Sequence, residues 1–389
     1  MEFAERTGRL GTETAFEVLA KAKALEATGK NVIHLEIGEP DFETPQHIKD
    51  AAIQALQDGH TSYTPTPGIP EVREVIAQNV NTTRDISISQ DQVVITPGAK
   101  PIMFFTILAL VQQGDEVIYP NPGFPIYESM IRFCEATPVP LPLKSENNYQ
   151  PDLDELESKI NDRTKLIILN SPQNPTGSVI KKEDYISISR MLEDKDIYVL
   201  SDEVYKDLLY NDTHFSIATI PNMTDRTIIL DGLSKSYAMT GWRLGYGIFP
   251  SELTPHIIKL ATNSVSCATS FAQLAIIAAL EGPQDSVKKM KQEFLKRRNA
   301  LSEGMNNIPG IKSNMPDGAF YMFPRIKDTG LSSKEFEHRC LTEAGVALLS
   351  GSGFGKYGDG HIRISYANSL ENITQAIDRI DTFVRNNTS

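Results

Sequence analysis

From about residue 90 onward, short apolar runs rich in β-formers alternate with helical stretches, and this alternation confines the chain to βαβ units around a mostly parallel sheet. The runs are Val93–Thr96, Glu116–Tyr119, Lys165–Leu169, Ile197–Leu200 and Thr227–Leu230. They are nearly continuous in apolar residues, as strands covered on both faces should be. The pattern changes at both ends of the chain. Residues 12–29 read as an amphipathic helix, and Ile33–Gly38 as a short strand leading into Gly38-Glu-Pro-Asp-Phe42. From about residue 285 come a charged helix (288–305), Gly318–Phe323, a helix near 333–344 and two strands, Val346–Leu349 and His361–Ser365. At 389 residues the chain has room for two domains. The reading is a large α/β domain over 45–284, with a mostly parallel sheet flanked by helices. A smaller α+β domain is expected from 1–44 together with 285–389.

Charge and cysteine content narrow the function classes. A formal net charge of −12 with dispersed Lys and Arg argues against a nucleic-acid partner, so any anion site must be local. The charged N-terminal segment lacks the apolar stretch of an export signal, and the longest apolar run, Ile102–Val111, is too short to cross a bilayer. Cys134, Cys267 and Cys340 are widely spaced and odd in number, which suggests neither a disulfide framework nor a metal site. The expectation is a cytoplasmic protein with no membrane partner and no metal. Triplets such as Asn81-Thr-Thr are read as chance matches to a glycosylation signal.

In open α/β sheets ligands bind outside the carboxyl ends of the strands, so the residues just after each run are the ones to read for chemistry. Lys235 follows the run ending at Leu230. A lysine after a strand is most often a surface cation, but an amine that is desolvated near other cations becomes a nucleophile towards aldehydes. Val93–Thr96 runs through Gly98, Ala99 and Lys100 into a helix, whose first N–H groups make a phosphate cradle. Ser234 and Arg243 supply a hydroxyl and a guanidinium fork for the same anion. Asn174 lies between prolines in a turn where its amide can donate to a ligand. Asp202 ends a strand, with Tyr205 three residues later on the same face if a turn follows; a buried Asp needs a cation. Phe124 could stack on a flat ring or fill a core. One ligand answers to all of these groups: planar, phosphorylated and aldehyde-bearing, as pyridoxal 5'-phosphate is.

These segments carry a resemblance. Gly-Glu-Pro-Asp-Phe at 38–42, Tyr-Thr-Pro-Thr-Pro-Gly-Ile at 63–69, Asn-Ser-Pro-Gln-Asn-Pro-Thr-Gly at 170–177, Ser-Asp-Glu-Val-Tyr at 201–205, Ser-Lys-Ser-Tyr-Ala-Met-Thr-Gly-Trp-Arg-Leu-Gly at 234–245 and Arg-Ile-Ser-Tyr-Ala at 363–367 are similar to the motifs of the fold-type I pyridoxal-phosphate aminotransferases. Within that fold type they resemble the aspartate aminotransferase-like class I/II group. The resemblance implies that Lys235 forms the internal aldimine and shuttles a proton in a ping-pong cycle. It implies that Asp202 holds the ring nitrogen, that Tyr205 and Asn174 bond the ring oxygen, and that Phe124 stacks on the ring. Gly98, Ala99, Lys100, Ser234 and Arg243 would surround the phosphate, and Tyr63 would reach that of a neighbouring subunit in a homodimer with shared sites. Arg363, with Gly38 and Asn174, would clamp the substrate α-carboxylate.

The amino donor stays open. Lys100 stands where some aspartate-using relatives carry a lysine for a distal carboxylate, whereas Glu13 and Phe16 argue against an acidic preference; Phe16 favours an apolar or aromatic donor, and alanine is a further choice. 2-Oxoglutarate is the acceptor implied by the resemblance. Another reaction on the same cofactor (a β-lyase or a cyclopropane-forming synthase) and a non-catalytic regulator are the alternatives. Gly353-Phe-Gly-Lys-Tyr-Gly358 spells a dinucleotide fingerprint, but it leads into a strand instead of a helix and is read as a mobile loop over the site.

Overall fold

Val93–Thr96 is a strand with every residue buried, and its side chains divide by alternation: Val93 and Ile95 enter one core, Val94 the opposite one. In Thr227–Gly232, Ile229 joins the first core while Ile228 and Leu230 join the second. A strand apolar on both faces is stable only between two covering layers. The computed structural model, which describes residues 3–211 and 213–387, provides them.

The strands in chain order are β1 (Ile33–His34), β2 (Val93–Thr96), β3 (Glu116–Asn121), β4 (Thr137–Pro142), β5 (Thr164–Asn170), β6 (Tyr198–Asp202), β7 (Thr227–Gly232), β8 (Gly245–Ile248), β9 (Tyr321–Met322), β10 (Val346–Ala347), β11 (Leu349–Ser350) and β12 (Ile362–Ser365). Seven of them form the central sheet in the order β2-β8-β7-β6-β5-β3-β4. β8 alone runs opposite to the other six, antiparallel to both β2 and β7. The five strands expected from sequence are all present within a few residues of their predicted limits.

Two strands escape a pattern reading for physical reasons. β4 contains Pro138, Pro140 and Pro142, which suggests a non-strand, yet it lies at the sheet edge and pairs only with β3, where missing donors are tolerated. β8 reads Gly-Tyr-Gly-Ile, too poor in β-formers to stand out. Its glycines are needed for close approach: a Cβ on Gly245 would lie 2.5 Å from the Ala99 nitrogen, and one on Gly247 2.6 Å from the Phe249 ring.

The two ends of the chain meet. β1 pairs in parallel with β10, placing Ile33 opposite Val346, while β11, β12 and β9 form a small antiparallel sheet. Helices Asp285–Asn306 and Leu370–Asn387 bury Phe294, Leu301, Ile373 and Ile380 against Phe320, Val346 and Ile364. Tyr205 and Leu208, just after β6, join this core. Several predicted limits shift. The helix expected over 12–29 spans Ala15–Glu26, the strand expected to reach Gly38 stops at His34, and the helix near 333–344 is α-helical only over Ser333–Arg339 before a π turn, Cys340–Ala344. The expected strand Val346–Leu349 is divided at Leu348 into β10 and β11, which take different partners.

A buried ion network joins the ends of β6 and β7. Arg84, at the end of helix Pro70–Arg84, donates to Glu203 at 2.8 Å and to Asp231 at 2.6 Å. Asp231 also accepts from Tyr246 at 2.9 Å and faces the Lys206 ammonium at 3.5 Å. Glu203 accepts from Ser201 and Ser216 and sits 2.8 Å from His214 Nε2. Despite burial, the charges of His214 and Arg84 hold the Glu203 carboxyl well below the usual range. Removing one member strands buried charge, so Arg84→Met should lower the unfolding free energy by about 3 kcal/mol. Urea denaturation measures it, and a loss under about 1 kcal/mol would contradict the assigned network.

Candidate functional site

β5, β6 and β7 end at a common level, and beyond their carboxyl ends the chain turns sharply three times. Asn170 leads into Asn174, Asp202 into the turn carrying Tyr205, and Gly232 into Ser234 and Lys235. β12 delivers Arg363 from the other sheet, and the segment after β1 brings Gly38. Together they line a cavity of about 520 Å³.

Arg363 is buried. Its Nη1 donates to Asn174 Oδ1 at 3.2 Å and its Nη2 donates to the Glu36 carbonyl. Its Nε is buried with no partner among the described residues, so one guanidinium donor remains unmatched. The half-buried Lys235 donates from Nζ to the Gly38 carbonyl at 2.5 Å. Burial, and next the Arg363 charge, lower its pKa to about 8, within reach of a neutral amine.

Asp202 presents the opposite case. Its Oδ2 accepts from the Tyr127 hydroxyl at 2.5 Å and its Oδ1 from the Val204 amide at 3.3 Å, and no cation lies within ion-pair distance among the described residues. Burial raises its pKa to about 6, against the lowering effect of the Tyr127 bond. A buried carboxylate so placed suits a cationic partner supplied by a ligand. The Tyr205 hydroxyl meets the Tyr321 hydroxyl at 2.8 Å, and burial followed by the charge of Tyr321 pushes its pKa well above the ordinary value. Both hydroxyls therefore stay protonated; one donates to the other, which leaves one O–H for a ligand.

At the opposite wall, β2 passes through Gly98 into helix Lys100–Leu110. Pro101 has no N–H and the Ile102 amide already donates to the Ala99 carbonyl at 3.1 Å, so the donors left at this helix start are the amides of Ala99 and Lys100. Gly98 lies beneath the Arg243 guanidinium, where a Cβ would come 2.1 Å from Nη2. Arg243 adopts a left-handed backbone (φ 56°), and its Nη1 donates to the Thr240 carbonyl at 2.8 Å. Ala99, Ser234 and Arg243 line the cavity together. Phe124 lies on its wall, edge-on to Tyr127 with ring centroids 5.6 Å apart.

Nearly all the residues singled out from sequence converge here. Gly98 does so as a support under Arg243. Tyr63 does not reach the cavity of its own chain and is 91% exposed. The glycine-rich loop is held beside the site, with the Tyr357 amide donating to Asn121 Oδ1 at 3.0 Å and the Gly123 amide to the Phe354 carbonyl at 2.9 Å. Sequence reasoning missed Tyr127 and Tyr321. Tyr321 lies beneath Arg363, whose guanidinium carbon is 4.5 Å from the ring centroid. Its hydroxyl fills the space where Gly38 lacks a side chain; a Cβ there would be 2.1 Å away. Neither tyrosine had a local spacing signal, since Tyr127 meets Asp202 across 75 positions and Tyr321 meets Tyr205 across 116.

The donor set fits pyridoxal 5'-phosphate on these observations alone. A helix start with Arg243 answers a phosphate, a buried acid without a cation answers a ring N–H, and a lysine with lowered proton affinity answers an aldehyde.

Comparison with known proteins agrees. The family model for class I and II aminotransferases matches residues 30–380. An aspartate aminotransferase of Pyrococcus abyssi is 41% identical over 92% of each chain. The solved structure of an alanine aminotransferase from Pyrococcus furiosus superposes with a TM-score of 0.94 at 35% identity, covering 99% of this chain and all (100%) of that one. An aromatic aminotransferase from Pyrococcus horikoshii superposes with a TM-score of 0.89 at 39% identity, covering 91% and 96%. The chain therefore belongs to the class I and II aminotransferases, fold-type I enzymes that use pyridoxal phosphate to move an amino group from an amino acid to a 2-oxo acid.

Proposed function

We propose that this transaminase works by a ping-pong cycle in which an L-amino acid with an apolar, aromatic or acidic side chain donates and 2-oxoglutarate accepts. The observation that supports it most is the pairing pattern of the cavity. Among the described residues, Lys235, Arg243 and Arg363 have no carboxylate within ion-pair distance, and Asp202 has no cation. The two unmatched guanidinium groups suit a phosphate and a carboxylate, the Lys235 amine with its lowered proton affinity suits an aldehyde, and the unmatched acid suits a ring N–H.

The proposed roles follow from position. Arg243, Ser234 and the amides of Ala99 and Lys100 would hold the phosphate. Phe124 would cover one ring face, and Asn174 with Tyr205 would donate to the ring oxygen. Asp202, buried and held by Tyr127, would keep the ring nitrogen protonated. When bound, the cofactor supplies an aldehyde that takes up an amine and an electron-poor ring that stabilises the electron pair left on the α-carbon. Arg363, with Asn174 and Gly38, would fix the substrate α-carboxylate by paired hydrogen bonds. Lys235, able to lose its proton near neutral pH, would move the proton at the reacting carbon. The exposed Tyr63 is proposed to serve a second copy's site in a homodimer, and the two-domain division at 44/45 and 284/285 is proposed with it. A cytoplasmic location completes the proposal; no helix among the described residues is long and apolar enough to cross a membrane.

Adding aspartate, glutamate, alanine and phenylalanine singly to cofactor-loaded protein tests the cycle. A productive donor should change the absorbance of the bound cofactor and release its 2-oxo acid in equal amount without ammonia or pyruvate as a general product. A bound chromophore that none of the four alters would contradict the reading. Lys235→Ala should retain cofactor and lose turnover by at least about 1,000-fold; turnover at the parent rate would overturn the role of Lys235.

Asp202 also predicts a pH dependence in the cofactor-free protein. Its folded pKa lies above the ordinary 3.8, so its contribution to stability is full below that value and is lost as pH rises through about 6. Asp202→Asn removes this dependence. Relative to the parent, the variant's unfolding free energy should rise by about 3 kcal/mol between pH 3 and pH 7. A difference independent of pH would contradict the assignment.

A further inference from the structure

The fourth cavity cation, Lys100, differs from the other three because it already has a carboxylate. Its ammonium donates to Glu13, two residues ahead of helix Ala15–Glu26, and lies 5.5 Å from the centroid of the Phe124 ring. Glu13 is not a stray surface acid. Its carboxylate lines the cavity, and its charge raises the proton affinity of both Lys235 and Arg363. The segment carrying it is held in place, with the Gly11 amide donating to Ser129 Oγ at 2.9 Å and Arg9 paired with Glu135 at 2.7 Å. Phe16, 64% exposed, lines the cavity beside it.

This arrangement gives the Lys100 wall of the cavity two electrostatic states. With Glu13 on Lys100, the wall is neutral and offers Phe16 to an apolar side chain. With Glu13 displaced, Lys100 is a free cation for a second carboxylate. Displacement is inexpensive, because the Lys100 and Glu13 side chains are 51% and 21% exposed, and a pair so open to water contributes on the order of 1 kcal/mol. An amine-transfer cycle that takes an uncharged donor and a dicarboxylic acceptor in one cavity needs such a change. We propose that Glu13 determines side-chain selectivity as an internal stand-in for a substrate carboxylate, held on Lys100 when the bound side chain is uncharged and displaced when it is acidic. This rests on the transamination reading and adds the chain's own residue that divides the two substrate classes.

The test is equilibrium binding of succinate, a dicarboxylate, and butyrate, a monocarboxylate of equal carbon count, to cofactor-loaded protein by calorimetry. Glu13→Gln should tighten succinate about 5-fold, the equivalent of about 1 kcal/mol, and change butyrate less than about 2-fold. In a Lys100→Met background the same substitution should no longer favour succinate. Glu13→Ser, which also lacks the charge, should reproduce the ordering if Glu13→Gln folds poorly. Equal gains for both acids would mean an effect at the carboxylate they share and overturn the proposal, as would no gain for succinate or a gain that persists without Lys100, the result a general field effect on a dianion would give. Because calorimetry needs no turnover, its failure is distinct from that of the parent to convert any amino acid, which would overturn the transamination cycle instead.

Discussion

Asp202 is a carboxylate buried without a cation among the described residues, and much of the surrounding structure is arranged around that deficit. Ionised in a site like this, a carboxylate costs several kcal/mol unless something compensates. Tyr127 and the Val204 amide compensate only in part, since its pKa remains raised to about 6. A ligand with a ring N–H would complete the site, so binding and the repair of an unfavourable charge become one event. Lys235 is the mirror case, an amine held below its ordinary proton affinity by burial and Arg363.

Next to this deficit stands a fully matched set of charges. Glu203 follows Asp202 in the chain, but it is enclosed by Arg84, His214, Ser201 and Ser216. Asp231, at the end of β7, is matched by Arg84, Lys206 and Tyr246. The last residue of β6 and the one after it thus face opposite fates, one left for a ligand and one sealed in a network. The matched network holds the ends of β6 and β7 in register, and those ends carry Asp202 on one side and Lys235 on the other. Stability is concentrated where it positions the residues that are left unsatisfied.

Much of this was legible in the sequence because it is local. The apolar runs named five strands of the central sheet, and the punctuation after them named Asn174, Asp202, Tyr205, Ser234, Lys235 and Arg243. β4 and β8 were hidden by proline and glycine, residues that an edge position and a close backbone approach permit. What is non-local could not be read. Tyr127 and Tyr321 approach their partners only after the sheets form, and Arg84 reaches Glu203 across 119 positions. The Glu13–Lys100 pair spans 87 positions and joins a pre-helical segment to the start of another helix. Both residues were singled out from sequence, but the contact between them was not legible there.

The central claim is that the unmatched groups divide the work, with Lys235 alone bonding the cofactor. Borohydride reduction of protein loaded with pyridoxal phosphate, followed by peptide mass mapping, tests this most directly. The account predicts one reduced phosphopyridoxyl adduct per chain, on the peptide containing Lys235 and absent from Lys235→Ala. An adduct on Lys100 or Lys206 with Lys235 unmodified would contradict it.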